Sequence, residues 1–296
     1  MPPVLILRED DPHRPCLENR VAFQGEEGPN LLGYRNGYRK DATTLAWLEE
    51  AVRAASRPAA ILDVGCAYGN LILMLNARLG KPSDVTMWGV DLNEDTLRYG
   101  QAFALSVPGY ANCNYQPADI MQGLPFDDGY FDAVNMGDVI EHLSDPCAAL
   151  EEIHRVLKPG GLLVLTTPLR DTVFKRAAAL INRLSCGKLN RAYYAGKSTE
   201  LDAEGRPVMR VRVGHDHISE MNWRELKRTC GSAGFHIEEA HFLPIMSGSM
   251  WFDRHPFLLS SLLFLEALHD WWKLPAWAHA VCLKLRKPAA REPSVA

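Results

Sequence analysis

The sequence contains no C-x-x-C pair. Its seven cysteines are odd in number and scattered. That excludes a disulfide framework and a paired-thiol zinc site, and it fits reduced thiols in a cytoplasmic protein. Excess positive charge is also missing: 32 Lys and Arg face 36 Asp and Glu, a formal net charge of −4. A nucleic-acid partner would require a basic field, so none is expected. No apolar run is long and unbroken enough for a transmembrane segment. The stretch Met1 to Asp11 has no basic start followed by an apolar core, so no signal peptide is visible. The remaining composition, 47% hydrophobic and 23% charged over 296 residues, suits one large globular domain or a domain with a cap. At this size roughly 75% of the unfolded surface can be buried without covalent staples.

The chain is organised around Ala60-Ile-Leu-Asp-Val-Gly-Cys-Ala-Tyr-Gly-Asn70. An apolar strand, Ile61 to Val64, breaks into a turn carrying Gly65 and Gly69. A helical pattern follows with Leu71, Met74, Leu75 and Leu79. Strand, small-residue turn and helix start in that order form a nucleotide-binding turn, although glycines after a strand also serve as a plain tight turn. The spacing Gly65-x-Ala67-x-Gly69 is not the G-x-G-x-x-G of a dinucleotide site. Asp63 at the strand tip would repel a pyrophosphate but suits a cationic ligand.

A second strand, Asp84 to Asp91, ends in a carboxylate about one strand–helix–strand unit later. Asp91 can accept both hydroxyls of a ribose, or it can cap the helix over Glu94 to Ala104. Leu92 can lie on an adenine face. A third strand, Asn114 to Ile120, carries Asp119 and Ile120 at its end. A fourth, Ala133 to Met136, leads into Gly137-Asp-Val-Ile-Glu-His142. A helix from Pro146 to Leu157 stops at Lys158-Pro-Gly-Gly161. Leu162 to Thr167 reads as a strand covered on both faces.

The run Asp63-x-Gly65-x-Ala67-x-Gly69 resembles the first motif of the class I S-adenosylmethionine-dependent methyltransferases, D-x-G-x-G-x-G, with Ala67 for the middle Gly. Leu124-Pro-Phe to Phe131-Asp132, and Glu151-Glu-Ile-His-Arg-Val-Leu-Lys-Pro-Gly-Gly161 with the strand after it, are similar to that family's text in the same order. The resemblance covers residues 60 to 168 well and thins beyond. It implies an α/β fold: a seven-stranded, mostly parallel, doubly wound sheet with an antiparallel last strand, helices on both faces and a helical or loop cap. His215, His217 and Ser219 to Phe235 look like the family's last helix and the approach to its sixth strand, Phe235 to Phe242. Ala280 to Arg286 is then the antiparallel seventh strand, inserted between five and six.

Four segments follow from this reading: an N-terminal arm and cofactor-covering helix over 1–55, the cofactor-binding core over 56–168, a substrate cap over 169–221, and the end of the sheet over 222–296. In the first, Gly33 to Tyr38 reads as a turn and Asp41 as the cap of a helix holding Leu45, Leu48 and Val52. In the last, residues 247–278 form an apolar, aromatic insertion. Core packing under the cap, a greasy substrate or homodimer surface, and peripheral membrane contact through 250–277 are the three readings left open for it.

The implied cofactor is S-adenosyl-L-methionine, leaving as S-adenosyl-L-homocysteine. By the resemblance its contacts are Asp63, Gly65, Cys66, Ala67, Gly69, Asp91, Leu92, Asp119, Ile120, Met136 and Gly137, with Tyr34 and Tyr38 closing over the methionine end. The implied activity is methyl transfer to a small-molecule acceptor, a hydroxyl on a natural-product, quinone-like or sugar substrate; N- or C-methylation and a silent cofactor-binding scaffold are the alternatives. A hydroxyl acceptor calls for a base, and Asp138, His142 and His217 are the candidates. The spacing Asp138-x-x-Glu141-His142 is also similar to quinone-precursor O-methyltransferases, where such a set is associated with a divalent metal; catalysis without a metal is the expectation here.

Overall fold

The computed structural model describes residues 31–184, 217–243, scattered positions between 257 and 272, and 275–289. Seven strands alternate with helices. In chain order these are α1 (Leu31–Ala54), β1 (Ala59–Val64), α2 (Asn70–Arg78), β2 (Val85–Asp91), α3 (Glu94–Ser106), β3 (Cys113–Pro117), β4 (Phe131–Gly137), α4 (Pro146–Val156), β5 (Leu157–Pro168), α5 (Val173–Leu184), α6 (Trp223–Ser232), β6 (His236–Leu243) and β7 (Ala280–Arg286). The sheet order is β3-β2-β1-β4-β5-β7-β6. The first five strands pair in parallel, and β7 runs antiparallel to both β5 and β6.

The inner strands are buried along nearly their whole length, as their unbroken apolar runs require. One face is covered by α1 and α2, where Leu45, Leu48 and Val52 pack with Ile61, Leu75, Met87 and Val164. The other is covered by α4 and α6, where Leu150, Ile153, Leu226 and Cys230 pack with Leu62, Val134 and Leu163. The order reverses between β1 and β4. A crevice therefore opens at the carboxyl ends of these two strands, where open α/β sheets bind ligands.

Local signals fix several boundaries. Asn93 caps α3 by accepting from the amides of Asp95 and Thr96, and Asp145 caps α4 ahead of Pro146. Asn222 and Glu225 form a reciprocal capping box at the start of α6.

Three expectations need correction. Gly33 to Tyr38 is not a turn and Asp41 is not a cap: both lie inside the 24-residue α1. Lys158 to Gly161 does not sit outside the strand: β5 begins at Leu157, and its register with β4 shifts between Phe131 and Ala133 to absorb the extra residues. His217 does not open a helix: α6 starts six residues later at its own cap, and His217 lies in the irregular stretch before it. His215 lies outside the described residues, as does most of the cap and most of the 247–278 insertion.

Candidate active site

Asp63 and Asn135 stand opposite each other in the parallel register of β1 and β4, next to the reversal point. The Asn135 amide donates to Asp63 Oδ1 at 2.7 Å. Both side chains are buried, and no donor among the described residues reaches Asn135 Oδ1. Burial pushes the Asp63 carboxyl up to about 7; the Asn135 hydrogen bond pulls it back and the charge of Asp91 adds to the rise. A cation arriving here would favour the ionised form.

Beyond β1 the chain turns through Gly65, Ala67 and Gly69, all with positive φ (71°, 48° and 76°). A Cβ on Gly65 would come within 2.2 Å of Val139 Cγ2. The turn after β1 therefore lies directly against the turn after β4, and only glycine permits that approach. Ala67, at the place where the resembling motif has Gly, is held in the left-handed region and pays a steric cost for it. Its amide donates to Asp91 Oδ2 at 2.8 Å, and the Asn93 amide donates to Asp91 Oδ1 at 2.9 Å. Asp91 thus spans the turns after β1 and β2, with acceptor capacity remaining on both oxygens. The helix-capping role belongs to Asn93.

The other candidates divide into backbone and side-chain contributors. Leu92 is 72% exposed on the rim beside Asp91, an apolar platform open to a flat ligand. Asp119 accepts from the Met121 amide and from Gln122 Nε2, both at 2.9 Å. Ile120 is buried against the core. The Cys66 thiol is also buried, and burial raises it far above the usual thiol range, so Cys66 offers its main chain. The Met136 side chain is wholly buried in the core with Leu150 and Ile153, so Met136, like Cys66, has only its main chain to offer. Gly137 ends β4. Tyr34 and Tyr38 belong to α1, and their side chains lie outside the described residues.

After β4, Asp138 has φ 54°, and its amide donates to the Thr166 carbonyl. Its carboxylate takes one hydrogen bond from Thr166 Oγ1 at 3.3 Å and a short ion pair from Lys40 of α1. One 3-10 turn, Ile140–His142, follows. Glu141 is buried, its carboxylate accepts from Thr167 Oγ1 at 3.0 Å, and burial raises it. The residues from His217 to Met221 are stitched to this turn: the Ser219 amide donates to the Glu141 carbonyl at 3.0 Å and Ser219 Oγ to the Ile140 carbonyl at 2.9 Å. This brings the His142 and His217 rings edge to face at 4.7 Å. One carboxylate oxygen of Glu141 and one ring nitrogen of each histidine all lie within 4.8 Å of one another.

The structure therefore brings His142 and His217 together, with Asp138 on the same sheet edge but tied to Lys40. Residues not singled out from the sequence complete the surroundings: Lys40, Asn135, Lys175, Glu220 and His279. His279 is pushed down by burial and by the charges of Lys175 and His217, against Asp138 and Glu220. The Asp63–Asn135 pair was findable by setting the two apolar strands in parallel register, and Glu220 by its i+3 spacing from His217. Lys40, Lys175 and His279 come from distant elements, and no local signal marks them.

The family described as "Methyltransferase domain" matches residues 36–240. The chain belongs to that family. Its cofactor is S-adenosylmethionine, and the turn after β1 stands where the methyltransferase motif is read. Among curated proteins, a demethylmenaquinone methyltransferase of Staphylococcus aureus (strain MRSA252) is 36% identical over 121 residues, 40% of this chain and 48% of the relative. The chain thus spans about half the length of the curated relatives it matches. Among solved structures, geranyl diphosphate C-methyltransferase of Streptomyces coelicolor A3(2), a complex with Mg2+, geranyl diphosphate and S-adenosyl-L-homocysteine, is 15% identical with a TM-score of 0.53, covering 84% of this chain and 81% of that one. The [4+2]-cyclase SpnF is 20% identical with a TM-score of 0.52, over 84% of this chain and 81% of that one. At these identities the structural likeness concerns the fold, which the methyltransferase family shares with a protein named for a different reaction.

Proposed function

We propose that this methyltransferase-family protein binds S-adenosylmethionine in the β1–β4 crevice and transfers its methyl group to a hydroxyl of a small molecule. The observation that carries this reading is the pairing of two half-sites on one sheet edge. On one side are a carboxylate-rich, glycine-lined turn with Asp91 at the β2 end and the Asn135 side-chain oxygen, which meets no donor among the described residues. On the other, a histidine pair stands at the β4 end. The residues suit the cofactor: Asp91 offers two oxygens to a ribose, Leu92 an apolar face to adenine, and Asp63 with Asn135 acceptors near a cationic ammonium. Asp119 and the backbone of Gly65 to Gly69 and of Gly137 line the remainder.

S-adenosylmethionine supplies a methyl on a cationic sulfur that departs as a neutral thioether, so the donor needs no activation. The protein's task is to align an acceptor oxygen with the S–CH3 axis, exclude water and take up the hydroxyl proton. Asp138 is less available for that proton, because Lys40 and Thr166 occupy its oxygens. The His142 and His217 rings meet edge to face at 4.7 Å at the same end of β4, and an imidazole has the basicity for that proton. The cap expected over 169–221 would shape the acceptor pocket, and a quinone-like or other ring-bearing alcohol fits the sequence's greasy 247–278 insertion.

The test is calorimetric titration with S-adenosyl-L-homocysteine and with NADH, followed by a methyl-transfer screen on hydroxylated aromatic and sugar acceptors. Micromolar binding of the first ligand alone, and O-methylated product in the screen, are the expected results. Exclusive N- or C-methylated product would overturn the hydroxyl assignment, and tight NADH binding would overturn the cofactor.

A further inference from the structure

Behind His217 stands a chain of charges that the methyl-transfer reading does not by itself require. His217 Nδ1 lies 2.9 Å from Glu220 Oε1. Lys175 of α5 grips the same carboxylate with both oxygens, at 2.9 and 2.7 Å. Lys175 is in turn set by the start of α5, where its amide donates to Oγ1 of the buried Thr172 at 3.2 Å. The carboxylate is thus tied from two sides, by residues 45 positions apart in one case and three in the other.

The electrostatics have one sense. Burial alone would raise the Glu220 carboxyl, but the hydrogen bonds and charges of Lys175 and His217 outweigh it and hold it below the usual carboxylate range. Glu220 is therefore an anion at neutral pH, an acceptor with no proton to give. The nitrogen facing it must carry the hydrogen. In a neutral imidazole that leaves the lone pair on the other nitrogen, and the choice of tautomer is what decides whether a histidine can act as a base. The same logic fixes the histidine of serine-protease triads through a buried carboxylate. The ring so oriented sits against His142, in the 3-10 turn that follows β4.

We propose that Glu220, clamped by Lys175, is a positioning residue that holds His217 with its proton on Nδ1, so that His217 Nε2 is the base that takes the acceptor's proton. This rests on the methyl-transfer reading for its chemistry but not for its geometry. The step balances: the acceptor O–H proton passes to Nε2, the oxygen's electron pair forms the O–CH3 bond, and the C–S bond breaks with its pair staying on sulfur. The imidazolium then returns its proton to solvent. Glu220 stays ionised throughout and stabilises the imidazolium.

Long-range 1H–15N spectra of the 15N-labelled full chain read the tautomer directly, with His217→Gln assigning the signals. In the wild type the neutral His217 ring should be protonated at Nδ1. In Glu220→Gln and in Lys175→Met it should shift toward the Nε2–H form, with affinity for S-adenosyl-L-homocysteine unchanged as evidence that the fold and cofactor site persist. On a hydroxyl acceptor from the screen, Glu220→Gln should lower kcat at least about tenfold, within the 10²–10⁴-fold that general-base catalysis supplies, while KM for the cofactor stays put. A wild-type ring protonated at Nε2, or tautomers unmoved in both variants, overturns the assignment. So does a metal-bound shift of the His142 and His217 signals on adding Zn2+ together with activity that depends on the ion. Absence of turnover on every acceptor with the Nδ1–H tautomer intact would count against the methyl-transfer reading and leave the positioning role standing.

Discussion

At the scale of single residues, Asp63 and Ala67 carry the plainest physical consequences. Asp63 has an ordinary carboxyl value of 3.8 when unfolded and about 7 in the fold. Below pH 4 it is protonated in both states and costs nothing. As pH rises toward 7 the unfolded chain releases a proton that the folded chain retains, so stability falls, by up to about 4 kcal/mol, and levels off above 7. Urea unfolding of the wild type and of Asp63→Asn across pH 4 to 8 should therefore diverge, the variant gaining relative stability through that window. Parallel curves would show that the carboxyl is not desolvated. Ala67 sits at φ 48°, where an L-residue loses about 1–2 kcal/mol. Glycine relieves that but adds about 0.4–1 kcal/mol of unfolded-state entropy. Ala67→Gly should thus stabilise the protein by between about 0 and 1.6 kcal/mol in urea unfolding, and a loss of stability would mean that the Ala67 methyl makes contacts worth more than the strain.

At the scale of elements, α1 shows how much was legible and what was not. The inner strands β1, β4 and β5 are visible as apolar runs, whereas the polar β3 and β6 and the insertion of β7 between β5 and β6 follow from the family pattern. The start of α1 is not visible, because Gly33, Gly37 and Asp41 read locally as breakers. A glycine costs a helix only about 1 kcal/mol, and docking on the sheet outweighs it. That docking uses Leu45, Leu48 and Val52 in the core and three ion pairs at its border, through Lys40, Glu49 and Glu50. The last is informative. Lys284 of β7 is buried, and its ammonium is shared by Glu50 of α1 at 2.8 Å and Glu239 of β6 at 3.2 Å. Replacing both acids, Glu50→Gln with Glu239→Gln, leaves a buried cation without an anion and should cost about 1–3 kcal/mol. Lys284→Met removes the charge with its desolvation cost and should be closer to neutral. Chemical denaturation of both variants decides it: a larger loss in Lys284→Met would show that the pair contributes net stability. The histidine pair was likewise half legible. His142 follows β4 in plain sequence, but its meeting with His217 depends on Ser219 reaching the 3-10 turn across a separation of 79 residues.

At the scale of the whole molecule, the crevice joins elements from both halves of the sheet, because the strand order reverses between β1 and β4; in the proposed reading the turns after β1 and β2 hold the cofactor and the end of β4 faces the acceptor. No helix among the described residues is long and apolar enough to cross a membrane. Ligand binding to such a shared crevice couples to global stability, because the unfolded chain has no site. At one hundred times its dissociation constant, S-adenosyl-L-homocysteine should add about 2.7 kcal/mol. For a chain of this size each kcal/mol moves the midpoint by about 2–4 °C, so a thermal scan should rise by roughly 5–10 °C, whereas NADH should leave it in place. Asp91→Asn separates the ligand's contribution from that of the turn. Its carboxamide keeps one acceptor oxygen for Ala67 or Asn93 and loses the anion that a ribose would meet. The variant's ligand-free midpoint should change little, while the shift produced by the same concentration of S-adenosyl-L-homocysteine should shrink to a third or less. An undiminished shift would place the ribose elsewhere than at the end of β2, and a lowered ligand-free midpoint with a full shift would make Asp91 a brace for the two turns and nothing more.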